Sequence, residues 1–158
     1  MQFNIVHLGQ TVLRYQVPLE ILVQLKNIYK DKFNELPFAN PQLIGKINSE
    51  RSFFYEGVDV PEKKVYPHNF LTKEIIDFFY KAFNHYLIWN KIKDYQCSLT
   101  SVWANKMKEH EYNPIHVHQG NLFTGLSSVL IVSIPKSYGA EYSSADKPLN
   151  GQLMILGS

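Results

Sequence analysis

Residues 113–121 read Asn113-Pro114-Ile115-His116-Val117-His118-Gln119-Gly120-Asn121. Pro114 fixes the approach to a short extended piece over 115–118, and Gly120 permits a sharp exit from it. Alternate side chains of a strand share a face, so His116 and His118 point to the same side. Two imidazoles on one face reach one metal ion. Imidazole suits Fe, Zn, Cu and Ni, so the ligand type does not choose the metal. A His-x-His pair also reads as two polar surface or hydrogen-bonded histidines, because so short a motif recurs by chance.

The surroundings favour the metal reading. Residues 97–107 carry β-branched and aromatic side chains, among them Trp103 followed by Asn105, and read as a strand. A polar turn over 109–113 follows. Residues 122–134 are largely apolar and end at Pro135, which predicts a second, buried strand. A polar loop over 137–149 and a last strand at 153–156 complete this half. Polar, metal-competent groups that converge on an apolar strand face are the pattern of a barrel-mouth site.

The first half has a different texture. Residues 2–6 predict a short strand. Residues 18–33 predict a helix that starts at Pro18, with Leu22, Leu25, Ile28 and Tyr29 on one stripe. Residues 34–64 are polar and interrupted by Pro and Gly, with short strands near 43–47 and 53–55, the pattern of an ordered cover over a site. Residues 72–90 predict the clearest helix, N-capped by Thr72, with Ile75, Ile76, Phe79, Phe83, Tyr86 and Leu87 on its apolar face. Helices first and strands later give an α+β class in a single domain, 1–158. Its 1–95 part is mainly helical, and its 96–158 part holds the core strands.

Composition bounds the function. The 158 residues are 45% hydrophobic and 19% charged, which excludes a disordered tail. Sixteen Lys and Arg against fourteen Asp and Glu leave a net charge of +2, without the clustered basic surface that nucleic acid requires. No run approaches about 18 apolar residues, so no membrane span is expected. One cysteine, Cys97, excludes an intrachain disulfide and suits a cytoplasmic setting.

Val102-Trp103-Ala104-Asn105, then Asn113 to Gly120, then 126–135 resemble the 2-oxoglutarate/Fe(II)-dependent oxygenase superfamily. The nearest pattern is that of a compact branch from phages and marine bacteria. It is similar to W-x-N, then N-P-x-H-x-H-x-G, then S-x-V-x-Y-x-x-x-P. The likeness covers about the C-terminal 60 residues, and the N-P-x-H-x-H-x-G block is its specific part. It implies a double-stranded β-helix, a cupin-like jelly roll, with the N-terminal helices packed on one sheet. It implies Fe(II) in a facial triad, 2-oxoglutarate as cosubstrate, and hydroxylation-type oxidation of a substrate. His116 maps to the first ligand. His118 takes the slot where the superfamily most often has Asp or Glu. Trp103 reads first as a core residue and second as a pocket wall, and Asn105 is a candidate hydrogen-bond partner for a bound cosubstrate. In another register His118 is the first ligand and Gly120 the second, similar to the carboxylate-free halogenase site.

In the superfamily the distal His and the basic residue for 2-oxoglutarate follow the stretch matching 151–157. No His or Arg follows there, and Arg14 and Arg51 stand at no matching position. The jelly roll is therefore expected to be incomplete at its C-terminus, with poor iron affinity. Its uncovered strand edges predict a homo-oligomer. Two other readings stay open: a non-catalytic jelly-roll binding module, and a metal-binding cupin-like protein that does not use 2-oxoglutarate.

Other residues carry weaker signals. Glu109 and Glu111 lie close enough in sequence to approach the metal. His7, His68, His85 and His110 have no partner spacing. Phe53, Phe54 and Tyr55 form either a lid or a hydrophobic cluster. Cys97 reads as a small buried residue.

Overall fold

The computed structural model describes residues 3–8, 10–39, 45–54, 70–114 and 125–135. The chain divides into two compact units, one of Met1–Gln16 with Ser128–Ser158 and the other of Val17–Ser127. In the first unit, β1 (Phe3–Leu8) and β2 (Gln10–Tyr15) pair antiparallel from Phe3↔Tyr15 to Leu8↔Gln10. The predicted strand over 2–6 is thus one arm of a hairpin whose arms are separated in sequence by Gly9. Its open end is held by the Phe3 and Tyr15 rings, whose centroids lie 6.2 Å apart.

The second unit holds both predicted helices. The first, α1, spans Leu19–Asp31. The Pro18 carbonyl accepts from the Ile21 and Leu22 amides, so the proline starts the helix without losing a needed donor. Ile21 and Leu25 are its most buried side chains, one step round from the predicted Leu22 stripe.

The next strand, β3 (Glu50–Ser52), occupies the segment read as largely irregular. The second helix, α2, spans Lys73–Trp89. Thr72 caps it as predicted, its Oγ1 accepting from the Ile75 amide at 3.4 Å, and the same hydroxyl donates to Gln24 Oε1 of α1 at 2.5 Å. Ile75, Ile76, Phe79 and Leu87 are buried. The helix ends where Lys91 takes φ 56° and the amides of Lys91 and Ile92 return to the carbonyls of Ile88 and Leu87.

The last element, β4 (Trp103–Asn105), pairs antiparallel with β3. Only these three of residues 97–107 form a strand, because a strand extends only as far as its partner. Phe53 and Phe54, expected as a strand or lid, lie buried in the core just beyond β3. The described part of the apolar run, 125–135, belongs to no helix and no strand, and Val129, Ile131 and Ile134 are exposed. The predicted pieces at 115–118 and 153–156 lie outside the described residues. No helix among the described residues is long and apolar enough to cross a membrane.

Candidate functional site

The β3–β4 ladder joins residues more than fifty positions apart. Its register is Glu50↔Asn105, Arg51↔Ala104 and Ser52↔Trp103. Strand alternation places Glu50, Ser52, Trp103 and Asn105 on one face, and Arg51 with Ala104 on the other. Phe38 forms a bridge with Arg51 from the opposite edge, so β3 is central. The Ala39 amide bonds to the Glu50 carbonyl and the Ser52 amide to the Pro37 carbonyl. On the β4 side the Lys106 amide bonds to Ser49 and the Phe53 amide to Val102.

On the Arg51 face the guanidinium lies against two rings, 3.7 Å from the Phe38 centroid and 4.3 Å from Phe33. Its Nη1 donates to the Leu36 carbonyl at 3.1 Å. These two cation–π contacts restrain the guanidinium and tie the segment after α1 to the ladder. Tyr29 of α1 adds a 2.8 Å hydrogen bond to Ser49.

The other face carries the unusual group. Glu50 is only 4% exposed, and its Oε1 has no hydrogen-bond partner. Burial, followed by the negative charge of Glu111, raises its pKa above the ordinary carboxylate value. Each effect disfavours the ionised form. Asn105 stands directly opposite and is exposed, and Trp103 is half-buried.

Glu111 does different work. Its Oε1 accepts from the Asn48 backbone amide at 3.1 Å and from the Asn48 side chain at 2.6 Å. Its Oε2 accepts from the Lys108 amide at 2.7 Å. The Lys108 amide, and then the two Asn48 donors, hold its pKa below the ordinary carboxylate value. Beside it, Lys46 and Tyr112 exchange both backbone bonds, at 2.9 and 3.2 Å. Gly45 makes this crossing possible. It has φ +138°, and a Cβ there would lie 2.9 Å from the Tyr112 carbonyl oxygen. Glu111 and the Lys46–Tyr112 bonds therefore hold the chain up to Tyr112, four residues before His116.

The sign of the Glu111 effect is testable. A carboxylate with a depressed folded-state pKa stabilises the fold above its unfolded value of about 4.5. That contribution is lost as pH falls through the folded value. Glu111→Gln is expected to lose stability near neutrality and to show a shallower decline on the acid side. Urea unfolding across the acid range measures this, and parallel acid limbs in the two proteins would contradict it.

The predicted ligands His116 and His118, and Gly120 of the other register, lie outside the described residues. Trp103 and Asn105 share one face, as a pocket wall and a polar contact require. Glu111 spends its oxygens on amide donors, and Glu109 is exposed with His110 Nε2 3.5 Å away. His85 is half-buried on α2. Cys97 is half-buried rather than buried, and burial raises its thiol pKa, which disfavours the reactive thiolate. Among the described residues no group of three or more His, Cys, Asp or Glu could hold a metal ion.

Sequence reading missed Glu50 and Arg51. The adjacent acid and base before Phe53-Phe54 are the only local sign of them, and nothing local predicts the burial that makes them informative. Comparison with protein-family models, curated proteins and solved structures finds no match to this chain.

Proposed function

We propose that this chain is an oxygenase-type protein of the jelly-roll class that takes Fe(II) and 2-oxoglutarate, with His116 and His118 as the metal ligands. The observation that carries this reading is the block Asn113-Pro114-Ile115-His116-Val117-His118-Gln119-Gly120, with Trp103-Ala104-Asn105 upstream. The shared face of Trp103 and Asn105 on β4, and the hydrogen bonds that hold the turn over 108–112, support it. Bound iron with 2-oxoglutarate supplies the oxidising chemistry of a C–H hydroxylation.

The donor set offered by the described residues is incomplete. Glu111 is committed to Asn48 and Lys108, and Glu109 faces solvent. The two imidazoles therefore carry the metal assignment, and Asn105 is the residue assigned to hydrogen-bond the cosubstrate. The experiment that tests the function is an anaerobic titration with Fe(II) and then 2-oxoglutarate, read as visible absorbance that needs both.

A further inference from the structure

Among the described residues, two buried polar side-chain atoms lack a partner, Oε1 of Glu50 and Nε of Arg51. They cannot satisfy each other, because alternation along β3 sends the two side chains to opposite faces. A glutamate is almost never as buried as Glu50 unless paired, and no Lys, Arg or His among the described residues forms an ion pair with it. An unpaired buried charge is so costly that the group keeps its proton and stays neutral instead.

The place of Glu50 in the ladder decides what that proton does. Glu50 is the first residue of β3 and Asn105 the last of β4, so Glu50↔Asn105 is an end pair. Beyond it the Lys106 amide bonds to the Ser49 carbonyl at 2.9 Å, and on the other edge the Ala39 amide bonds to the Glu50 carbonyl at 3.1 Å. Asn105 is exposed, so opening this one end brings the Glu50 carboxyl to water. Local opening of so short a ladder costs less than unfolding the core.

The neighbours of Glu50 do not hold it charged. Trp103 and Asn105 on β4, and Pro37, Phe38 and Ala39 on the other edge, carry no acid or base. In the turn that carries Lys108, Glu109, His110 and Glu111, the charge that acts on Glu50 is that of Glu111, of like sign. Its amide donors keep Glu111 ionised above the ordinary carboxylate range, so its repulsion is constant there. We propose that Glu50 is a proton-controlled latch on the β3–β4 ladder. The neutral acid stays buried and closes the Glu50↔Asn105 end; loss of the proton turns the carboxylate outward and opens that end. The latch stands whether or not the chain binds iron.

Amide hydrogen exchange of the full chain, followed by NMR from about pH 4 to about pH 9, tests it against Glu50→Gln, which keeps the shape of the neutral acid and cannot ionise. A group that holds its proton more tightly when closed contributes stability that is complete below its ordinary value of 4.5 and is lost as pH rises through the closed-state value. Protection of the Lys106 and Ala39 amides is therefore expected to fall, relative to the same amides in Glu50→Gln, by up to about tenfold per pH unit over that window. Both are expected to be less protected than the Ile76 amide of α2, because the opening leaves that helix folded. Carbon NMR of the Glu50 side chain in the unsubstituted chain gives a reading that needs no variant, and its titration midpoint is expected above 4.5. A midpoint at or below that value overturns the proposal. So does the same pH profile of protection in both proteins. Equal protection at Lys106, Ala39 and Ile76 also overturns it, since the ladder would then open only when the whole unit unfolds.

Discussion

Replacing His116 by Ala is expected to weaken Fe(II) binding by more than about tenfold, since even partners of ligands cost about 10–100-fold when removed. His118→Ala should do the same. Both expectations follow from the proposal that 115–118 is extended, so that residues two apart present imidazoles to one ion. The two variants also separate the alternative registers. If His118 and Gly120 hold the first and second positions, His116→Ala leaves binding intact and only His118→Ala destroys it. Equilibrium dialysis under nitrogen reads the affinity, and circular dichroism of α1 and α2 reports whether the fold persists. Unchanged Fe(II) affinity in both variants would make the pair ordinary polar histidines.

Ile75→Ala is expected to lower the unfolding free energy by about 2–5 kcal/mol. Ile75 is 0% exposed and sits in the first turn of α2, its amide capped by Thr72. The same Thr72 hydroxyl reaches Gln24 on α1, so this turn is where the two helices are joined. Truncation removes apolar contact and leaves a cavity that a helix anchored by its cap cannot close. Natural domains are stable by about 5–15 kcal/mol, so the loss is a large fraction of the total. Urea unfolding measures it. A loss below about 1 kcal/mol, within the range of Ile→Val changes, would mean that the site collapses freely around the smaller side chain.

These two cases differ in how far sequence alone reaches. The α2 helix was legible because its signals are local. Thr72 stands immediately before an apolar pattern of period 3.6, and the observed Lys73–Trp89 span lies within the expected 72–90. The α1 helix was legible for the same reason, and the shift of its buried stripe from Leu22 to Ile21 is within the error of periodicity.

The ladder was not legible. β3 and β4 have three residues each and are held together by pairing between positions 50–52 and 103–105. No local pattern encodes such a partner. Strand propensity even pointed the wrong way at 125–135, where β-branched residues lie exposed without a ladder among the described residues. Propensity describes fit to a pleated surface and supplies no neighbouring strand.

The candidate site divides in the same manner. Trp103 and Asn105 were singled out through the W-x-N likeness, and on β4 they share a face. Glu50 could not be, because its interest lies in being buried without a partner, which is a property of the assembled core. Glu111 was legible as an acid near the histidines. Its task as an acceptor for Asn48 and Lys108 required the crossing of two distant segments at Gly45.

The central claim is that this chain brings Fe(II) and 2-oxoglutarate together at His116 and His118. Its most direct test is the visible spectrum of the purified chain under strict exclusion of oxygen, first with Fe(II) and then with 2-oxoglutarate. The account predicts an absorption band that appears only when both are present and is lost in His116→Ala. Fe(II) binding that 2-oxoglutarate leaves unchanged would contradict it in favour of a cupin-like metal protein, and the absence of Fe(II) binding would contradict it in favour of a non-catalytic module.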